Sequence, residues 1–353
     1  MAKERTVVSL FSGCGGMDLG LEGGFEVLRE SVNTDMHPEW IDGPGRNGFV
    51  RLKETGLRNI FANDIKPSAQ KAWSAYFSKR GVDTSIFKLG SIVDLVKEHR
   101  AGTAKSVFPL GADIVTGGFP CQDFSVAGKR MGFRSNKSHN GGLLDALREE
   151  PTIENRGMLY YWMKEVIEII RPKLFIAENV KGLVNLSNVK RVIEEDFRRT
   201  SGSGYVVVEA KVLHAGDFGV PQTRERVIFF GFRRDALRSE ALRALSLSPI
   251  PEDYDPYPRP THSRQTGSLL GSQANLWPIV TCRMAFRGLK EPDQETDDLS
   301  QIAYSRAKYM GKHCQGQSEV DLDGLGPTIR AEHHGNIEFR RLSREHGGRI
   351  TEE

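Results

Sequence analysis

The chain has 353 residues, 38% of them hydrophobic and 27% charged, a balance that suits a globular protein with one large and one smaller domain. With 49 Lys and Arg against 46 Asp and Glu, the formal net charge is only +3; this excludes a polycation, and any nucleic-acid face has to come from local clustering. No run approaches the ~20 apolar residues of a membrane helix, the first residues show no signal-peptide core, and Cys14, Cys121, Cys282 and Cys314 form neither a CxxC pair nor a disulfide framework, so the expectation is a reducing cytoplasm and no membrane.

Taken in chain order, residues 6–10 predict a short buried strand, followed by a glycine turn (Phe11, Ser12, Gly13, Cys14, Gly15, Gly16) and a helix. Residues 29–58 are rich in Gly and Asn and exceed what a compact β-α-β unit needs, so they read as an insertion. Residues 59–64 predict a strand ending on Asp64, and 67–78 a helix opened by Pro67. Residues 113–118 predict a strand ending in glycines, 160–170 a helix stopped by Arg171-Pro172, and 174–179 another strand. Apolar runs recur near 206–213 and 227–232, and periodicity weakens after Arg234. Strands in continuous apolar runs alternating with helices imply an α/β fold with a mixed, mostly parallel sheet covered on both faces. The polar clusters fall just after strands, where ligands bind in open α/β sheets.

Three of these clusters carry chemistry. The turn at Gly13, Gly15 and Gly16 brings bare backbone close to a ligand, but its spacing differs from the dinucleotide fingerprint, and it also suits a plain structural turn. Asp64 at a strand end can take the two hydroxyls of a ribose or serve as a turn residue. The string Gly117-Gly118-Phe119-Pro120-Cys121-Gln122-Asp123-Phe124-Ser125 places a cysteine after a proline in a glycine turn. That context is more exposed than an apolar run and suits a nucleophile, with a buried inert thiol as the alternative. A polar stretch rich in Gly, Lys, Arg and Ser follows, with the composition of a lid over 122–142.

The cysteine string resembles the catalytic motif of the bacterial DNA cytosine-5 methyltransferases of restriction-modification systems, and five further blocks follow that family's order. Residues 10–16 resemble its first cofactor motif, Asn63-Asp64-Ile65 its ribose block, Arg156-Gly157-Met158-Leu159 the block opening the next helix, Ala177-Glu178-Asn179-Val180 its second catalytic motif, and Gln222-Thr223-Arg224-Glu225-Arg226 its Gln-x-Arg-x-Arg block. The resemblance implies a Rossmann-like S-adenosyl-L-methionine-dependent methyltransferase domain over 1–232, a smaller irregular target-recognition region over 233–340, and a shortened tail over 341–353. It implies that Cys121 adds to carbon 6 of a flipped-out cytosine, that Glu178 acts as general acid at ring nitrogen 3, that Arg226 binds the exocyclic oxygen and orients Glu178, and that Arg224 favours the thiolate. By the same resemblance Phe11, Gly13, Cys14, Gly15, Gly16, Asp64, Ile65, Ser91, Ile92, Pro120 and Leu159 line the cofactor, and Gln122, Ser125 and Asn179 face the substrate. His313-Cys314 and His333-His334 hint at zinc, but their spacing fits no closed site, so no metal is expected. The partner is double-stranded DNA and the setting the bacterial cytoplasm beside the nucleoid.

The match departs from the family in two places. Ser91 stands where an acidic residue usually meets adenine, and Ile65 where an aromatic often stacks. The family's closing blocks are not found beyond Arg341-Leu342-Ser343-Arg344-Glu345, which leaves a split enzyme with a second polypeptide, or a truncated chain, as alternatives. Lys129, Arg130, Arg134 and Lys137 of the lid, and Arg283, Arg287, Lys290, Arg306, Lys308, Lys312 and Arg330, are candidate DNA contacts. An RNA substrate fits less well, because the Cys-Phe-Thr tripeptide of the RNA-directed branch is absent. A DNA-binding remnant and a dehydrogenase are the readings from other classes; the dehydrogenase leaves Pro120-Cys121-Gln122 unexplained.

Overall fold

The computed structural model describes residues 4–102, 107–120, 159–185, 188–200, 202, 204–264, 275–289 and 320–329. Strand β1 (Arg5–Leu10) leads into helix α1 (Gly16–Glu22), and three short strands follow: β2 (Glu26–Leu28), β3 (Ile41–Pro44) and β4 (Phe49–Leu52). Next come β5 (Leu57–Asp64), α2 (Pro67–Lys79), β6 (Phe87–Leu89), α3 (Ile92–Ala101) and β7 (Ile114–Gly117). After these come α4 (Leu159–Ile170), β8 (Leu174–Val180), α5 (Val189–Arg198), β9 (Tyr205–Val207), β10 (Lys211–His214) and β11 (Glu225–Arg233). The last are α6 (Ser239–Ala244), β12 (His262–Ser263), β13 (Trp277–Pro278) and α7 (Cys282–Ala285). Among the described residues no helix is long and apolar enough to cross a membrane.

Eight strands form one sheet in the order β10-β11-β8-β7-β1-β5-β6, with β9 paired to β11. β6, β5, β1, β7 and β8 run parallel, and β11 is antiparallel to β8 and to β9. The sheet is therefore mixed and mostly parallel, as the alternation of apolar runs and helices implies. Parallel neighbours need long crossovers, and the helices supply them. From β1 the chain builds outward through β5 to β6, then returns to the other side of β1 with β7 and β8. The order reverses between β1 and β7, and in such sheets the crevice beyond the strand ends at that point binds ligands. The glycine turn follows β1 and the Pro120 turn follows β7, so both predicted motifs leave the sheet at this place.

Core packing fixes those strand ends. On one face, Leu10, Val115, Phe175 and Phe229 pack with Tyr160, Met163 and Ile167 of α4 and Phe197 of α5. On the other, Trp73 and Phe77 of α2 pack with Ala62 and Phe87. Burying each such large side chain stabilises the fold by roughly 1.5–3 kcal/mol. Glycines let the layers close in: a Cβ on Gly231 would lie 1.9 Å from the Phe175 ring, and one on Gly117 would lie 2.9 Å from Met163 Sδ.

The chain groups into two compact units. The first comprises Met1–Phe25, Lys53–Leu213 and Arg226–Pro258, and the second Glu26–Leu52, His214–Glu225 and Arg259–Glu353. Position 233, where the sequence pattern changes, falls inside the first unit. The stretch read as an insertion forms a three-stranded antiparallel sheet, β2-β4-β3, in the second unit. The second unit has few buried apolar side chains among the described residues: Val32, Val50, Val280, Cys282 and Val320.

Candidate active site

Alternation along β8 decides which side chains reach the crevice. Phe175, Ala177 and Asn179 point into the core, while Glu178 and Val180 take the other face. On antiparallel β11, Arg226 pairs with Val180, and its side chain falls on the same face as Glu178. Arg226 Nε donates to Glu178 Oε1 at 2.6 Å, with the side chains 21% and 20% exposed respectively. The pair is therefore held by two strands and mostly shielded from solvent. Gly118 lies directly beneath it, since a Cβ there would meet Glu178 Oε2 at 3.1 Å. A side chain at 118 would make the carboxylate shift by a few tenths of an ångström.

Asn179 ties the same turn from the buried side. Its Nδ2 donates to the Phe119 carbonyl at 3.1 Å, and its Oδ1 accepts from Val180 N at 2.8 Å. Asn179 is thus buried and shapes the turn. Pro120 is half-buried at the end of that turn. Cys121, Gln122, Ser125 and the 122–142 stretch lie outside the described residues. Arg224 belongs to the second unit, where its carbonyl accepts from Ala215 N at 2.8 Å.

Asp64 ties the glycine turn to the end of β5. Asp64 Oδ2 accepts from Gly13 N at 3.0 Å, and Oδ1 accepts from Lys66 N at 2.9 Å. A carboxylate has about four acceptor positions, so capacity remains for ribose hydroxyls. Cβ atoms on Gly13 and Gly16 would meet nothing within 4 Å, which leaves open space over this backbone. Gly15 is different: its φ is +91°, and a Cβ would lie 2.5 Å from Phe77 and 2.7 Å from Trp73. It must be glycine for both conformation and packing. Phe11 also has a positive φ, of 53°, a backbone state that non-glycine residues seldom occupy. An open glycine cradle beside a strand-end carboxylate fits an S-adenosyl-L-methionine-sized nucleoside.

The other predicted cofactor residues divide. Ile65 is half-buried, Cys14 is exposed, and Leu159 opens α4 with its side chain buried. Ser91 caps α3, its hydroxyl accepting from Val93 N, and Ile92 is part of the core.

Sequence reading missed a polar network beneath the glycine turn. Asp18 Oδ1 accepts from Ser9 Oγ, and Oδ2 accepts from Trp73 Nε1 at 2.7 Å. Ser12 Oγ lies 2.9 Å from Ser9 Oγ and accepts from Asn63 N at 3.1 Å. A chain of hydrogen bonds therefore runs from a buried carboxylate to the residue preceding Asp64. Burial, with a smaller push from Glu22, raises the Asp18 carboxyl to about 6 against the opposing bonds from Ser9 and Trp73. The available signal was the four-residue spacing of Asp18 and Glu22, which puts both acids on one helix face. Glu22 answers to Asn59, whose N and Nδ2 reach its Oε1 at 3.0 and 2.9 Å.

Of the candidate DNA contacts, Arg283 bonds Asp323 through Nε and Nη2 at 2.7 and 2.8 Å, and Arg287 bonds Glu30 at 3.0 Å. Lys290, Arg306, Lys308, Lys312, Arg330 and the lid's basic residues lie outside the described residues. Among the described residues no cluster could hold a metal ion.

A model of the C-5 cytosine-specific DNA methylases matches residues 44–336. The chain is 33% identical over 285 residues to the Type II methyltransferase M.BspRI of Lysinibacillus sphaericus, covering 80% of this chain and 52% of that protein. It is 32% identical over 267 residues to M.BsuRI of Bacillus subtilis, covering 74% and 47%. With M.AquIA of Picosynechococcus it shares 32% over 236 residues, 65% of this chain and 73% of the relative. The chain spans about half the length of the first two relatives.

Proposed function

Because the chain belongs to the C-5 cytosine-specific DNA methylase family, we propose that it transfers a methyl group from S-adenosyl-L-methionine to carbon 5 of cytosine in duplex DNA, as the modification enzyme of a type II restriction system. The observation that carries this reading is the Glu178–Arg226 pair, aimed from β8 and β11 over Gly118 at the turn that leads into Cys121. Bound S-adenosyl-L-methionine supplies an electrophilic methyl group on a sulfonium. Gly13 to Gly16 line its amino-acid end, and Asp64 takes its ribose.

Carbon 5 of cytosine is a poor nucleophile, and the stacked duplex hides carbon 6, so the base has to be flipped out first. Cys121 thiolate then adds to carbon 6, and its electron pair enters the ring. Glu178 gives a proton or a hydrogen bond to ring nitrogen 3, where the charge collects. Arg226 keeps that carboxyl in place and binds the exocyclic oxygen. Carbon 5, now enamine-like, would take the methyl group as the methyl–sulfur bond breaks, leaving S-adenosyl-L-homocysteine. Loss of the carbon 5 proton to water, departure of the thiolate and return of the ring nitrogen 3 proton to Glu178 restore the ring and the acid.

Glu178→Gln tests the reading. It keeps an acceptor for Arg226 but removes the acid, so kcat should fall by roughly 100-fold or more while DNA affinity holds within about threefold. Equal losses in both would make Glu178 a structural residue and remove this mechanism.

A further inference from the structure

We infer that Glu26–Leu52 is an N-terminal arm of the target-recognition unit, and that Asn33 positions the recognition backbone on which DNA binding depends. The inference rests on the DNA methyltransferase reading for its ligand, but its geometry stands independently. Asn33 is 1% exposed and has no spare hydrogen-bonding capacity. Its Nδ2 donates to Thr261 O at 2.8 Å and to Asn275 O at 2.7 Å, while Oδ1 accepts from Asp35 N and Met36 N at 3.1 and 3.3 Å. Two donors and two lone pairs are all the amide has. One side chain therefore sets the local turn and joins two backbone points more than 200 residues away in sequence.

Four further links run between the same stretches. His262, 1% exposed, has Nε2 at 2.9 Å from Glu30 O and Nδ1 at 2.8 Å from Thr261 Oγ1. A carbonyl only accepts, so Nε2 carries the proton and Nδ1 takes the threonine hydroxyl, which makes His262 a neutral, single-tautomer strut. Burial lowers its pKa in the same direction. Trp277 Nε1 donates to Asp35 Oδ2 at 2.7 Å, and the Arg29 guanidinium lies 5.4 Å over the Trp277 ring. Arg287, a candidate DNA contact, is held by Glu30.

These links matter because, among its described residues, this unit buries few apolar side chains. Where the apolar core is small, buried hydrogen bonds select the conformation, and losing one partner strands the others. Side chains that read DNA need a backbone fixed to well under an ångström. The arm supplies that fixation without itself having to touch a base.

The test uses the full chain with Asn33→Ala. Hydrogen–deuterium exchange should rise over 259–264 and 275–282, KM for DNA should rise about tenfold, and kcat and S-adenosyl-L-methionine affinity should stay within about twofold. Trp277→Phe keeps the ring but drops the bond to Asp35; it should move exchange and KM the same way by about threefold, and it decides the matter if the alanine variant does not fold. Unchanged exchange in the folded variant overturns the brace. Faster exchange with unchanged KM overturns its role in DNA positioning. A wild-type chain that neither binds nor methylates DNA removes the function proposed above and the DNA half of this inference together, while the exchange result still decides the brace.

Discussion

The two units are held together by different physics. In the first, strands such as β1 and β7 bury whole runs of apolar side chains between helices, and the order of the sheet follows. In the second, short strands and turns depend on individual polar side chains such as Asn33 and His262. Close packing makes the first unit intolerant of an added atom. The described part of the second unit should respond most to a lost buried hydrogen bond. Glu178 and Arg226 stand on strands of the first unit, so their pairing is set by the sheet.

The largest effect expected from breaking this contrast comes from Gly231→Ala. The added methyl would occupy the space of the Phe175 ring, 1.9 Å away, and should cost about 3 kcal/mol in urea unfolding. A neutral result would mean that the sheet is looser than a close-packed core.

A smaller effect sharpens the comparison, because Asp18 is a polar group placed inside the packed unit. Its carboxyl rises from 3.8 to about 6 on folding, so the folded state holds the proton more tightly than the unfolded chain. Its contribution to stability is therefore fully present below about pH 4 and is lost as pH rises to about 6. Asp18→Asn should flatten that slope, so unfolding free energies of the two proteins should converge or cross between pH 4 and 6. Parallel curves would place the titration elsewhere.

The smallest effect should come from Arg283→Ala in the second unit. The Arg283–Asp323 pair is largely exposed, at 60% and 74%, so the unfolding midpoint should not move. If Arg283 meets a phosphate, the slope of log affinity for DNA against log salt should fall by about one. An unchanged slope removes Arg283 from the DNA face.

The legibility of the sequence followed the same division. β1, β5, β7 and β8 and the helices α2 and α4 stood out because continuous apolar runs and a 3.6-residue period report burial on a sheet. Asp64, Glu178 and Arg226 were legible because they sit at strand ends within ordered motifs. The 206–213 run was less clear: it divides into β9 and β10, and Ala210 N turns aside to Glu194 Oε1 at 3.0 Å. Asn33 and His262 carry no periodic signal, since the partners that matter are backbone carbonyls more than 200 residues away in sequence. Asp18 was visible only through its four-residue spacing from Glu22 in a short helix, and its importance depends on Trp73 arriving from α2.

The central claim is that Cys121 and the Glu178–Arg226 pair together methylate cytosine. The most direct measurement is transfer of labelled methyl from S-adenosyl-L-methionine to mixed-sequence duplex DNA, by the wild-type chain and by Cys121→Ser. Label on carbon 5 of cytosine with the wild type, and none with the serine variant despite retained cofactor binding, is the predicted result. Full incorporation by the serine variant, or label on any other atom, would contradict it.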